Sequence, residues 1–77
     1  MRRIRYRFKR NKGVFGLAFD EEWRIEIDPD LDDRTMMEIA AHEVTHVVLP
    51  VLDEAAVDTL GKHIADVLFR MGFRREE

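Results

Sequence analysis

Hydrophobic and polar residues alternate with a period of two over the first part of the chain, and this period is typical of β-strands that bury one face. Three segments before position 29 have aromatic or aliphatic residues at every second position: Ile4, Tyr6 and Phe8; Phe15, Leu17 and Phe19; Trp23, Ile25 and Ile27. The breaks between them, at residues 11–13 and 20–22, are short enough for hairpin turns. The pattern predicts a three-stranded antiparallel sheet with its polar face in water.

After the acidic segment DPDLDD the period changes to that of an amphipathic helix. Asp32 or Asp33 can cap this helix, and the helix should end near Val48 because a proline follows closely. A second helix is expected to begin with Asp53 as its cap and to end at Gly72. The elements predict an α+β fold, in which a three-stranded antiparallel sheet is followed by a two-helix hairpin packed on one face, in the order β-β-β-α-α.

Length and composition limit the classes of protein that the chain can represent. Its 77 residues predict a single domain over 1–77, near the lower size limit for unaided folding. There is no cysteine, so neither a disulfide nor a thiolate metal site is available. The sequence has no apolar stretch of signal-peptide or membrane-spanning length. We therefore expect a soluble, cytoplasmic protein without a membrane partner.

The motif HEVTH lies within the first predicted helix and carries the candidate chemistry. Residues four apart share one face of a helix, so His42 and His46 can offer two imidazoles to one ion, with Glu43 on the same open side. A hydrolytic zinc needs a third protein ligand, an open position for water, and a carboxylate that takes the water's proton. Glu54 is the candidate third ligand because the short loop folds the first turn of the second helix back beside these histidines.

Asp58 follows Glu54 on the same helix face and can accept the free ring N–H of a ligand histidine. Each assignment has a plainer alternative. The histidines could be partly buried and bonded to backbone groups, Glu54 could be an ordinary first-turn acid, and Asp58 could be a surface acid. His63 lies about half a turn round from Glu54, and we assign it to the surface.

HEVTH followed by EAAVD resembles the HExxH and ExxxD motifs of thermolysin-like gluzincins. The arrangement is also similar to that of small intracellular zincins, including ImmA/IrrE-type peptidases and short HExxH proteins of phage genomes. The resemblance implies a minimal zincin-like fold in which His42, His46 and Glu54 bind zinc. It further implies that Glu43 is the general base and that Asp58 orients a ligand histidine.

In such families the strand before the metal helix pairs its edge with an extended substrate. The resemblance assigns this role to five residues: Trp23, Arg24, Ile25, Glu26 and Ile27. The predicted function is thus a zinc metallopeptidase, an endopeptidase rather than an exopeptidase, acting on a peptide or protein. A zinc-stabilised binding or regulatory module without turnover is the main alternative, and a small basic nucleic-acid-binding domain is the third.

Charge is the feature that keeps the third alternative open. The net charge is only -3, but seven of the thirteen basic residues lie between positions 2 and 12. Arg3, Arg5, Arg7 and Lys9 form a row that could follow phosphates, although we favour a solvated strand face that discourages edge aggregation.

The aromatic residues bear on both the core and the partners. Five of them are expected in the core rather than on a base-stacking platform: Tyr6, Phe8, Phe15, Phe19 and Trp23. Near the C-terminus, Phe69 and Phe73 either close the core or form a homodimer contact.

Overall fold

The computed structural model describes residues 1–76 and contains three strands followed by two helices. Their bounds are β1 Arg5–Phe8, β2 Gly16–Phe19, β3 Arg24–Ile27, α1 Asp33–Val48 and α2 Glu54–Arg70. This element order confirms the predicted α+β fold. Helix α1 packs against α2 on one side and against β2 and β3 on the other, so one sheet face carries a helical layer.

The sheet is mixed, and the predicted antiparallel meander is wrong. The strand order is β1-β3-β2: β1 runs parallel to β3, and β2 runs antiparallel to β3. Burial explains the order, because β3 carries three successive buried residues and therefore takes the centre. Every residue of β1 is exposed, and its cations remain in water at the sheet edge.

The faces of β2 are also reversed from the expectation. Ala18 pairs with Ile25 on the helix side, whereas Leu17 pairs with Glu26 on the outer side. The small residues face α1 because the helix comes very close. A Cβ built on Gly16 would lie 2.6 Å from Cγ2 of Ile39. The large apolar residues of β2 consequently lie outside the core.

Both helices begin at the predicted caps. The side chain of Asp32 accepts from the backbone N–H of Thr35 at 2.8 Å, and that of Asp53 accepts from Ala56 at 2.7 Å. At the end of α2, Gly72 adopts a left-handed φ of 98°, and the N–H of the next residue bonds to the carbonyl of Leu68. No helix within residues 1–76 has the length and apolar character needed to cross a membrane.

The hydrophobic core is small and lies between β3 and α1. Ile25, Ile27 and Val47 form its buried centre. The prediction that all five N-terminal aromatic residues lie in the core is wrong, because three of them are exposed: Tyr6, Phe8 and Phe15. Trp23 is half-buried and packs against the core, with a left-handed φ of 55° at the end of the turn before β3. Phe69 is half-buried and Phe73 is exposed.

Candidate metal centre

The side chains of His42, His46 and Glu54 converge at the corner between α1 and α2. The two Nε2 atoms are 3.1 Å apart. The carboxylate of Glu54 lies 2.8 Å from Nε2 of His42 through Oε1 and 3.0 Å from Nε2 of His46 through Oε2. The structure therefore brings together the three residues that the sequence suggested as metal ligands.

The backbone positions these side chains through two local features. Asp53 caps α2, which fixes Glu54 in its first turn, six residues after the end of α1. Gly61 then lets the helices approach closely. A Cβ built on Gly61 would lie 3.0 Å from the carbonyl oxygen of Glu38 and 3.5 Å from Cβ of His42. A larger residue there would push α2, and with it Glu54, away from the histidines.

The spacing of these donor atoms suits a small divalent ion. A tetrahedral zinc with bonds of about 2.0–2.1 Å holds its ligand atoms about 3.3 Å apart, slightly more than the observed separations. The candidate ligand atoms all lie within 4.8 Å of one another. The rings of His42 and His46 are largely buried, whereas the side chain of Glu54 is 71% exposed. The centre is thus open to water on the Glu54 side, and two nitrogens with one carboxylate are a donor set that zinc accepts.

Glu43 lies beside this centre and is not one of the converging groups. It is only 8% exposed, and within residues 1–76 its carboxylate forms no ion pair. Burial raises the pKa of Glu43 above its ordinary value, and the charge of Glu54 adds to the rise, while His42 and His46 oppose it. Oε2 of Glu43 would be 3.1 Å from a Cβ on Gly16, so this glycine leaves space for the carboxylate.

Asp58 lies near the predicted position but is held by another partner. Its Oδ1 is 4.0 Å from Nδ1 of His42, beyond hydrogen-bond reach, and its Oδ2 accepts from Nζ of Lys62 at 2.8 Å. The Lys62 bond is the main reason that the pKa of Asp58 is lowered. The structure thus places Asp58 beside the histidine without a direct bond. His63 is exposed and lies outside the group, as expected.

A cleft runs from the candidate centre along β2, and this location corrects the predicted substrate strand. Residues 23–27 were expected to offer a free edge, but Trp23 and Arg24 to Ile27 lie in or next to β3, which is paired on both sides. The free edge beside the centre belongs to β2. The cleft has a volume of about 270 Å³, and its lining residues are Gly16, Leu17, Ala18, Asp20, Glu43, His46 and Pro50.

The alternation of ladder bonds shows which backbone groups face this cleft. The N–H of Asp28 donates to the carbonyl of Phe15 at 2.8 Å, so Phe15 and Asp28 form a hydrogen-bonded pair. In an antiparallel pair the bonded positions alternate, and the polar backbone groups of Gly16 and Ala18 therefore point away from β3. A glycine inside a strand pattern often marks close backbone approach, which is the signal that could have identified this edge.

Glu26 is the buried charge that the sequence pattern did not reveal. Its side chain is 3% exposed on the outer sheet face and accepts from Arg7 and Arg24, each at 2.8 Å, and from Asn11 at 3.1 Å. Burial alone would raise its pKa, but the three donors together lower the pKa to about 2. In the basic region, Arg7 is thus engaged by Glu26 and Arg10 by Asp30, and Arg5 donates to the carbonyl of Glu22. These internal partners weaken the nucleic-acid interpretation.

Comparisons with protein-family models, with curated proteins and with solved structures give no match to this chain. The function of this chain is therefore inferred from the geometry of its candidate centre and from the resemblance of its motifs.

Proposed function

We propose that this protein is a zinc-dependent metallopeptidase in which His42, His46 and Glu54 bind the metal and Glu43 is the general base. One observation supports the proposal above all others. Three donor side chains from two helices meet, with no more than 3.1 Å between the nearest donor atoms of any two. Beside them lies the buried carboxylate of Glu43, which is not bonded to the three donors and which lines a cleft along a strand edge. A structural metal site alone does not require that additional carboxylate.

The roles of the protein groups follow from their surroundings. Zinc, when bound, lowers the pKa of a coordinated water and polarises a carbonyl oxygen. Glu43 accepts the proton of the attacking water and delivers it to the leaving amine, and its raised pKa makes it a better proton acceptor than an exposed glutamate. The outward backbone groups of Gly16 and Ala18 can pair with an extended peptide, which gives recognition through the main chain rather than through side-chain pockets.

A zinc-stabilised binding module without turnover is the second candidate function, and one observation favours it. Among the residues that line the cleft, none is an arginine, a tyrosine or a histidine other than the candidate ligand. A peptidase gains a large part of its rate from donors that stabilise the developing oxyanion. If such a donor is lacking, the same ligand set would serve only to join α1 and α2, which matters in a domain this small.

The experiment that separates the candidates compares wild type with Glu43→Gln. Zinc content is measured by elemental analysis, and cleavage is measured with an unbiased peptide library. The peptidase proposal predicts one zinc per chain in both proteins and cleavage by wild type alone. Glu38→Gln is the matched control, because it makes the same change on α1 away from the cleft. Zinc without cleavage in wild type would favour the binding module, and a lack of stoichiometric zinc would exclude both.

A further inference from the structure

The edge of the sheet opposite the metal centre carries an apolar groove. Helix α1 covers β2 and β3, so β1 extends beyond the helical layer. Tyr6 and Phe8 of β1 are 69% and 47% exposed, and they face Met36, Ala40 and Val44 of α1 across a space of about 390 Å³. An exposed apolar surface that is bounded by a strand and a helix is characteristic of an interaction site.

The backbone of β1 offers hydrogen-bonding groups along the same edge. The N–H groups of Arg5 and Lys9 donate to carbonyls next to or within β3, at 3.2 and 3.0 Å. Successive residues of a strand direct these groups to opposite sides. The polar backbone groups of Tyr6 and Phe8 consequently point away from β3, toward the open edge. A strand that docks here would gain main-chain bonds and could place every second side chain in the groove.

The other face of β1 carries positive charge. Arg3, Arg5, Arg7 and Lys9 alternate with the groove residues, and no acidic residue occurs before position 20. Arg7 is bonded to Glu26, but its side chain remains 61% exposed. An incoming strand would therefore meet the row of cations on one face and mainly apolar residues on the other, where the guanidinium of Arg75 lies 5.0 Å from the ring centroid of Phe8.

A second copy of this chain is a poor occupant for this edge. Two copies related by a two-fold axis would pair their β1 strands antiparallel. To keep both apolar faces on the helix side, odd-numbered residues must lie opposite odd-numbered residues and even-numbered residues opposite even-numbered ones. Every such register sets cations opposite cations; in one, Arg5 faces Arg7 of the other copy and Arg3 faces Lys9. Like charges directly opposite one another destabilise a strand pair. Nucleic acid is also disfavoured, because Tyr6 and Phe8 lie on the face opposite the cations and could not stack bases while these bind phosphates.

We propose that the β1 edge binds an extended segment of a partner protein in which apolar and acidic residues alternate. The apolar residues enter the groove beside Tyr6 and Phe8, and the acidic residues face the cations of β1. The edge is separated from the metal centre by β3 and β2, so this binding does not depend on zinc or on catalysis.

A blocked nine-residue peptide of alternating valine and glutamate provides the test. Binding is measured by fluorescence anisotropy and by amide NMR shifts, in the Glu43→Gln background so that hydrolysis cannot consume the probe. We expect saturable binding with the largest shifts at Tyr6 and Phe8. A peptide of the same composition with paired valines and paired glutamates should not bind. N-methylation of every second residue blocks half of the peptide's backbone N–H groups. It should abolish binding when the blocked groups are those that pair with β1, and it should leave binding intact when the other half is blocked.

Lys9→Glu and Lys12→Glu form a matched pair of protein variants, because both make the same change in net charge. Only Lys9 directly follows the strand, and we expect its substitution to weaken peptide binding about fivefold, whereas Lys12→Glu should have almost no effect.

Four results would overturn the proposal. The first is that the alternating peptide does not bind, and the second is that the two lysine variants weaken binding equally. The third is that the NMR shifts occur at Gly16 and Ala18 instead of at β1. The fourth is that the peptide is displaced by self-association of the protein or by a thymidine oligonucleotide.

Discussion

Glu26 and Glu43 are both buried, at 2% and 8% exposure, yet their surroundings differ in kind. Glu26 is held by Arg7, Arg24 and Asn11, and its pKa falls to about 2. Within residues 1–76 no cation is bonded to Glu43, which borders a cleft and has a raised pKa. The first carboxylate is fixed in its ionised form and stabilises the sheet, whereas the second is suited to proton transfer. Burial alone therefore does not mark a functional acid, whereas burial without a charge partner beside a cleft marks a candidate for one.

The strongest test of this difference is the same substitution at both positions. We expect Glu43→Gln to lower kcat/KM for peptide hydrolysis by about 10²–10⁴-fold, because general-base catalysis typically contributes that much. Glu26→Gln should leave the rate per folded molecule nearly unchanged. The rates are measured at saturating zinc, with folded fractions determined by circular dichroism. Equal losses in the two variants would contradict the separation of roles.

Asp58 stands between the two cases, since it has a cation partner and also lies near a candidate ligand. We expect Asp58→Asn to weaken zinc binding about 10–100-fold, because a carboxylate near a ligand histidine orients the ring. Asp66→Asn is the matched control. Asp66 pairs with a cation four residues later in the same helix and also with Arg34 of α1, and it lies away from the centre. Competition with a chromophoric chelator measures both affinities, and indistinguishable values would remove Asp58 from the site.

The space that Gly16 leaves for Glu43 can be filled to test how the cleft is built. Gly16→Ala would set a methyl group within 3.0 Å of Cγ of Glu43 and closer still to Ile39. Overpacking of this kind costs about 1–3 kcal/mol of unfolding free energy. Urea unfolding measures the loss. Ala18→Gly, on the same face of the same strand, should lose only about 0.5–1 kcal/mol through chain entropy and lost contact. A stabilised Gly16→Ala protein would show that β2 does not constrain Glu43.

The smallest expected effect concerns pH, and it isolates Glu26. Its pKa is about 2 in the folded protein, below the ordinary value of 4.5. The ionised group therefore contributes stability that is fully present above pH 4.5 and is lost as the pH falls toward 2. Thermal unfolding across this range should show a steeper loss for wild type than for Glu26→Gln. Parallel curves would indicate that the arginine bonds do not favour the ionised form.

The helices and their caps could be predicted from sequence because the signals are local. Asp32 and Asp53 each precede an apolar helical stripe, and each accepts a bond from a backbone N–H three residues later. The convergence of Glu54 with the histidines followed from the same locality, since a short loop leaves little freedom at the corner.

The sheet could not be predicted in the same way, because its order depends on contacts distant in sequence. The alternation in β2 indicated that Leu17 and Phe19 face the core, but close packing of α1 selected Gly16 and Ala18 instead. Phe19 lies on the outer face under the guanidinium of Arg24, 3.9 Å from its ring centroid. Which face of a strand is buried was thus decided by the helix that covers it, and this information is absent from the strand itself.

The three candidate ligands lie within residues 42–54, on two adjoining helices, and the strands contribute none of them. The contacts of such a site join residues that are close in sequence, and contacts of this kind form early in folding. If the centre binds zinc as proposed, capture of the metal by the helical hairpin would therefore precede docking of the strands. Zinc supply would then determine how soon a newly made chain forms the helical surface against which the N-terminal strands pack.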